Sequence, residues 1–258
     1  MEISLYDFIR FALTLVRFSA FLVVIPLFSM RSIPAQAKIG FAALLALLVM
    51  PPISQEWNLE SLGVLVILSI HEVAVGLLLG LIVILVFSVI HFAGHFVDVP
   101  LGFGMASVFD PALGTQVPVF SQFYYVLGSL IFLGVDGHLW TLRALAQSYE
   151  SIPFGGIIQM DLTFDLILSL TKNLFSIGLK MALPVVGTIL LTDIALGIVI
   201  RAVPQINVFV IGFPIKIVVG MIIVILGLPA YVTLATQLFS LDGLLFRYLY
   251  GVLQAGGS

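Results

Sequence analysis

The chain has 258 residues, of which 61% are hydrophobic and 9% charged, against about 25% charged in an ordinary soluble domain. So few charges cannot cover a chain of this size in water without large exposed apolar patches, which excludes a soluble monomer, and disorder needs the opposite composition. A formal net charge of −3 leaves no basic footprint for nucleic acid, and the absence of cysteine removes disulfides, thiolate nucleophiles and Cys-ligated zinc.

A membrane-crossing helix needs about 20 apolar residues. At the start of the chain, Glu2 and Asp7 stand where a cleavable signal would be basic, and Arg17 interrupts the first apolar run. The first predicted helix, Leu5 to Phe28, is therefore read as retained. The second, Ala37 to Met50, is short and stopped by Pro51-Pro52. The third, Leu59 to Phe96, holds the charge-free gap Val73 to Val97 and must be long, tilted or broken. The fourth, Val119 to Gln147, contains the polar interruption Gly134-Val135-Asp136-Gly137-His138. Ser151 to Gly156, a turn former and a glycine pair between Glu150 and Asp161, is the best domain boundary, dividing 1–150 from 157–258. The fifth helix, Leu162 to Val203, carries Lys172, Lys180, Pro184 and Asp193. The last two are Asn207 to Leu228 and Ala230 to Leu249.

The predicted fold class is all-α: a polytopic membrane-type protein of broken and kinked helices. A barrel would show repeated alternating strands instead. Loop charges, with Arg31 and Lys38 in the first loop and Glu56 and Glu60 in the second, favour an outside N-terminus. Lipid penalises unsatisfied backbone and charge, and such interruptions are tolerated where protein or a water-filled passage covers them. The pattern points to a multi-subunit assembly or a pore.

Pro100 to Pro118 holds three prolines and three glycines in nineteen residues, too many for one regular helix. It also holds Met105, Val108, Phe109 and Leu113. Against the bland alternative of a surface loop with packed anchors, a re-entrant segment that lines or blocks a passage fits better. Deformable Met and bulky Phe suit a constriction that closes by dewetting.

His91, His95 and Asp98 share one helical face at metal-ligand spacing, but no fourth ligand is in view, and polar residues near a helix end explain them as well. His71-Glu72 lacks the second His of a zinc-protease helix. Gly102-Phe103-Gly104 is no nucleotide fingerprint, and no phosphate loop occurs. No catalytic, metal or cofactor site is read from these residues. Glu72, Asp193, Lys172 and Lys180 are candidates for buried charges; Asp165 to Lys172 and Asp193 to Arg201 are two turns apart on roughly one face, which also allows local pairing, and a structural or inter-subunit role is expected ahead of proton transport. Pro204, Gln205 and Asn207 make a hairpin turn with Asn207 as N-cap, and Pro214 is expected to kink the helix that follows. The polar corner of Arg201, Gln205, Asn207 and Lys216 is either a plain hairpin or a contact surface.

Four segments together resemble the FliR family, the R component of the flagellar type III export gate: Val23 to Pro34, Gly102 to Pro118, Asp136 to Arg143, and Arg201 to Lys216. The injectisome counterpart shares the architecture. The runs Gly104-Met-Ala-Ser-Val-Phe-Asp-Pro111 and Gln205-Ile-Asn207 with Phe213-Pro-Ile-Lys216 are specific together, and the match covers nearly the whole chain in order.

The resemblance implies a non-catalytic subunit without cofactor or metal, present once among several P-family and Q-family subunits in the bacterial inner membrane at the flagellar basal body. It implies a P-like first part, 1–150, and a Q-like helical hairpin within 157–258. It also implies a channel plug at Met105, Ala106, Ser107, Val108, Phe109, Asp110, Pro111, Gly114 and Pro118. Arg201, Gln205, Asn207, Pro214 and Lys216 would be inter-subunit or entrance contacts, where a B-family switch protein docks. Unfolded flagellar proteins would be the cargo. The alternatives are an injectisome gate subunit, an autonomous secondary transporter with broken helices, or an intramembrane metalloenzyme using His91 and His95.

Overall fold

The computed structural model describes residues 5–29, 33–50, 61–103, 118–205 and 207–256. Among these residues the secondary structure is helical, with no strand. The helices are α1 (Leu5–Val24), α2 (Pro26–Ser29), α3 (Ala35–Val49), α4 (Leu62–Leu101), α5 (Val119–Gly134), α6 (Gly137–Ser151), α7 (Met160–Ala202), α8 (Val208–Phe239) and α9 (Leu244–Gly256).

Several boundaries differ from the sequence expectation, each for a local reason. The first helix breaks at Ile25, because Pro26 removes an N–H and its ring opposes the preceding turn. The third continues beyond Phe96 through Pro100 in its last turn, and ends where Gly102 takes φ +88, a left-handed stop. The fourth is two helices broken at Asp136, which takes φ 56 and starts α6 with its carbonyl accepting Leu139 and Trp140 N–H. The break expected at Pro229 does not occur. α8 runs through Pro214 and Pro229, and the chain turns instead at Ser240–Gly243, where Gly243 N–H donates to Ser240. Packing overrides the proline: just beyond it, Tyr231 is buried, stacks on Tyr124 with ring centroids 4.5 Å apart, and donates its hydroxyl to the Tyr124 carbonyl at 2.6 Å.

Among the described residues, three helical stretches are long and apolar enough to cross a membrane, Leu62–Leu101, Met160–Ala202 and Val210–Gly256, with a fourth if the broken α5–α6 pair counts as one. At about 1.5 Å per residue, the 40 residues of α4 and 43 of α7 each exceed a hydrocarbon core about 30 Å thick.

The helices form two compact units, each from separated stretches of chain. Unit 1 comprises Met1–Val86, Asp136–Thr171 and Phe239–Ser258; unit 2 comprises Phe87–Val135 and Lys172–Leu238. Compactness therefore follows helix packing rather than linear order. Ser151 to Gly156, expected as a boundary, is a helix end followed by a turn in which Gly156 N–H donates to Pro153.

Unit 1 is organised by one buried ion pair. Arg17 and Glu72 are both 0% exposed, and the guanidinium grips the carboxylate with both prongs, Nε to Oε2 at 2.6 Å and Nη2 to Oε1 at 2.9 Å. The remaining donors reach Ser148 Oγ and the Ile152 carbonyl, each at 2.9 Å, while the Tyr149 ring lies 3.8 Å from the guanidinium carbon. His71 spans from Glu72 Oε1 to the Gly156 carbonyl, at 3.2 and 2.7 Å. One pair thus ties α1 to α4, to α6 and to the turn after it. Gly76 permits the approach, since a Cβ there would lie 2.5 Å from the Arg17 carbonyl oxygen.

Removing one partner strands the other charge in an apolar interior, which costs about 3–5 kcal/mol. Arg17→Ala and Glu72→Ala are each expected to lower stability by that much in thermal denaturation of the purified protein. The double change Arg17→Met with Glu72→Leu is expected to cost much less than the two losses added.

Candidate functional site: a loop base and a helical hairpin

The hairpin candidates fall in unit 2, as do the described flanks of the plug segment. Of the plug candidates, Met105, Ala106, Ser107, Val108, Phe109, Asp110, Pro111 and Gly114 lie outside the described residues, and Pro118 immediately precedes α5. The described flanks of this segment are the end of α4 and the start of α5, and they meet closely. Asp98 on α4 accepts the backbone N–H of Phe120 at 2.8 Å and of Ser121 at 3.0 Å. Ser121 Oγ donates to the His91 carbonyl at 3.0 Å and lies 3.2 Å from His91 Nδ1. Phe103 meets Phe120 edge-on, with centroids 5.8 Å apart. Gly94 has no room for a side chain, because any Cβ would collide with the backbone of Ser121.

These contacts dispose differently of the face that the sequence presented as metal-ligand spacing. Asp98 turns into the N-terminus of α5, His91 stacks on Tyr125 at 4.3 Å, and His95 is exposed. Among the described residues, no group of three or more His, Asp or Glu is arranged to hold a metal ion. Glu72, proposed with the buried charges, is closed off by Arg17 within unit 1. The local pairing of Asp193 with Arg201 is corrected: Asp193 pairs across the hairpin with Lys216. Eight residues along a helix are about 12 Å, too far for the local pair.

The α7–α8 hairpin carries the second set of candidates. Arg201 is exposed on the last turn of α7, and Gln205 is exposed in the turn. Asn207 stands at the N-cap position, its carbonyl accepting Val210 N–H at 3.1 Å and Ile211 N–H at 3.3 Å. Pro214 lies within the first turns of α8 and is accommodated there. Lys216 and Asp193, with Gly197, Ile200, Gly212 and Phe213, line an open cleft of about 200 Å³. Phe213 also fills the space beside Gly102, where a Cβ would come within 2.5 Å of its ring. Hairpin and loop base are therefore one packed structure. Sequence reasoning missed Asp98 as part of it. The available signal was a helix start at Pro118-Val119 with no capping side chain of its own.

Away from this packing the hairpin is bare. In the most apolar stretch of α4, 56% of residues are buried within the chain, against 11% for α7 and 17% for Val210–Gly256. Ile194, Ile198, Met221, Ile222, Ile225 and Leu226 are all more than half exposed. Surfaces of this kind are built for lipid or for other apolar helices.

Fold and site together define a membrane-type helical protein in which the end of α4 packs against the α7–α8 hairpin. Residues 8–241 match the family described as bacterial export proteins, family 1. The flagellar biosynthetic protein FliR of Bacillus subtilis (strain 168) is 38% identical over 237 residues, 91% of this chain and 92% of that protein. FliR of Pectobacterium carotovorum is 35% identical over 87% of this chain and 86% of its own length, and FliR of Escherichia coli (strain K12) is 30% identical over 88% and 87%. The chain belongs to the FliR family of bacterial export proteins.

The tight approach at Gly94 gives a direct check on the loop base. Gly94→Val is expected to separate α4 from the start of α5 and to abolish accumulation of the folded protein. Gly187→Val, where nothing lies within 4 Å of the added Cβ, is expected to be tolerated. Protease resistance and yield in detergent measure both.

Proposed function

We propose that this chain is a non-catalytic subunit of the flagellar type III export gate, helping to form and close the channel through which unfolded flagellar proteins leave the cell. The observation that carries this reading is the exposed apolar hairpin: α7 and α8 are long, apolar and largely unburied within their own chain. The similarity to proteins named FliR over about nine-tenths of the chain supports the flagellar assignment. The P-family and Q-family gate subunits are the proposed cover for the hairpin, with the bacterial inner membrane at the flagellar basal body as the location.

In this reading the lineage division is P-like for 1–150 and Q-like for the hairpin within 157–258. Met105 to Pro118 is the plug of the closed channel. Its mixture of deformable Met and bulky Phe and Val suits an apolar stopper that excludes water. Arg201, Gln205, Asn207, Pro214 and Lys216, at or near the hairpin's turn, are proposed contacts to neighbouring subunits or to the B-family switch protein at the entrance. The polar turn suits such a role, because Arg201 and Gln205 are exposed at the end of a largely apolar pair of helices.

The plug is tested by removing it. In-frame deletion of Ala106 to Pro118 is expected to make the closed, assembled complex conduct small ions in planar bilayers. A deletion complex that assembled and stayed ion-tight would overturn the plug assignment.

A further inference from the structure

Asp136, Leu139, Trp140 and Arg143 line an open cleft of about 260 Å³ within unit 1. Their helical spacing puts them on one face of α6, while Thr141, Ala144, Leu145 and Ser148 on the other side are buried in the chain. The guanidinium of Arg143 lies over the Trp140 ring, 5.3 Å from its centroid, a cation–π contact that holds a planar five-donor group against an aromatic surface. Arg143 and Asp136 are both exposed, and among the described residues neither forms an ion pair. Seven residues along a helix are about 10 Å, so the two charges do not neutralise one another. Between them Leu139 is 55% exposed and Trp140 half-buried.

The cleft therefore offers a cation, an anion and apolar surface side by side, and its place in the chain indicates what fills it. α5 has no Asp, Glu, Lys or Arg, whereas α6 carries Arg143, Gln147 and Glu150. The chain changes from a lipid-compatible to a water-compatible helix at Asp136, and Trp140 follows four residues later. Tryptophan is enriched at the headgroup level of a bilayer, where its ring meets apolar groups and its N–H polar ones. Arginine takes phosphate oxygens through several N–H groups at once. A zwitterionic phospholipid matches all four side chains: phosphate for Arg143, ammonium for Asp136, glycerol and upper acyl chain for Leu139 and Trp140. An anionic lipid would leave Asp136 without a counter-charge.

We propose that this face of α6 is a phospholipid site that takes a phosphoethanolamine headgroup, with the phosphate on Arg143 and the amine beside Asp136. The site rests on the membrane character of the helices and is independent of the export-gate reading.

Native mass spectrometry of the delipidated full-length protein, titrated with phosphatidylethanolamine or phosphatidylglycerol of matched acyl chains, measures it. Affinity for the first phosphatidylethanolamine is expected to fall about tenfold in Arg143→Gln, the loss of one charge-assisted contact. Asp136→Asn, which tolerates the same left-handed backbone, is expected to shift preference toward phosphatidylglycerol. The chain has two tryptophans, so Trp57→Phe leaves Trp140 as its sole indole. In nanodiscs whose phosphatidylethanolamine carries bromine high on its acyl chains, the Trp140 emission is expected to be quenched. Equal first-lipid affinity in Arg143→Gln and the unaltered protein would overturn the proposal, and so would a preference of the unaltered protein for phosphatidylglycerol. Quenching by aqueous iodide but not by bromolipid would overturn it by showing a water-facing cleft. An indole shielded from both would overturn it by showing a cleft filled by protein.

Discussion

A charge placed among apolar helices is removed from water, and only an opposite charge or an array of N–H groups makes that placement tolerable. This constraint selects which helices of the chain can meet. In unit 1 the guanidinium of Arg17 requires Glu72, and its spare donors require Ser148 and the Ile152 carbonyl, so α1, α4 and α6 converge on one point. In unit 2 the carboxylate of Asp98 requires the start of α5, while the part-exposed Asp193 pairs with Lys216 across the hairpin. Apolar packing then fills in around fixed points. Gly76 and Gly94 let backbones come close enough for the polar groups to reach.

The same economy of charge shapes the outside. With polar groups drawn into a few internal pairs, the long faces of α7 and α8 present Ile, Leu, Val and Met over most of their length. An isolated chain cannot keep such faces in water, whereas a bilayer or a ring of sibling helices can. Exposed Lys172 and Lys180 on α7 sit poorly against lipid, which favours protein or a wet passage along that part of the helix.

The helical class was legible because charge-free runs and proline or glycine punctuation report directly on local structure. The break at Asp136, the stop near Gly102 and the turn at Pro204 to Asn207 all follow from local backbone chemistry, and the last two frame the candidate site. What could not be read were pairings across the chain. Arg17 and Glu72 are 55 residues apart, and Asp98 bonds to residues 22 and 23 positions away, separations at which no helical periodicity speaks. Asp98 instead shared a plausible helical face with His91 and His95, so spacing pointed to a metal where the fold provides a cap. Pro229 misled for a related reason: propensity predicts a break, and the stacking of Tyr231 on Tyr124, invisible in sequence, keeps the helix going.

The central claim is that this chain is one part of a helical assembly rather than a complete transporter. Native mass spectrometry of the complex purified through a tag on this chain tests that claim most directly. The account expects a discrete assembly holding one copy of this chain with several copies of P-type and Q-type gate subunits. A stable, monodisperse species containing this chain alone, with no such subunits retained, would contradict it.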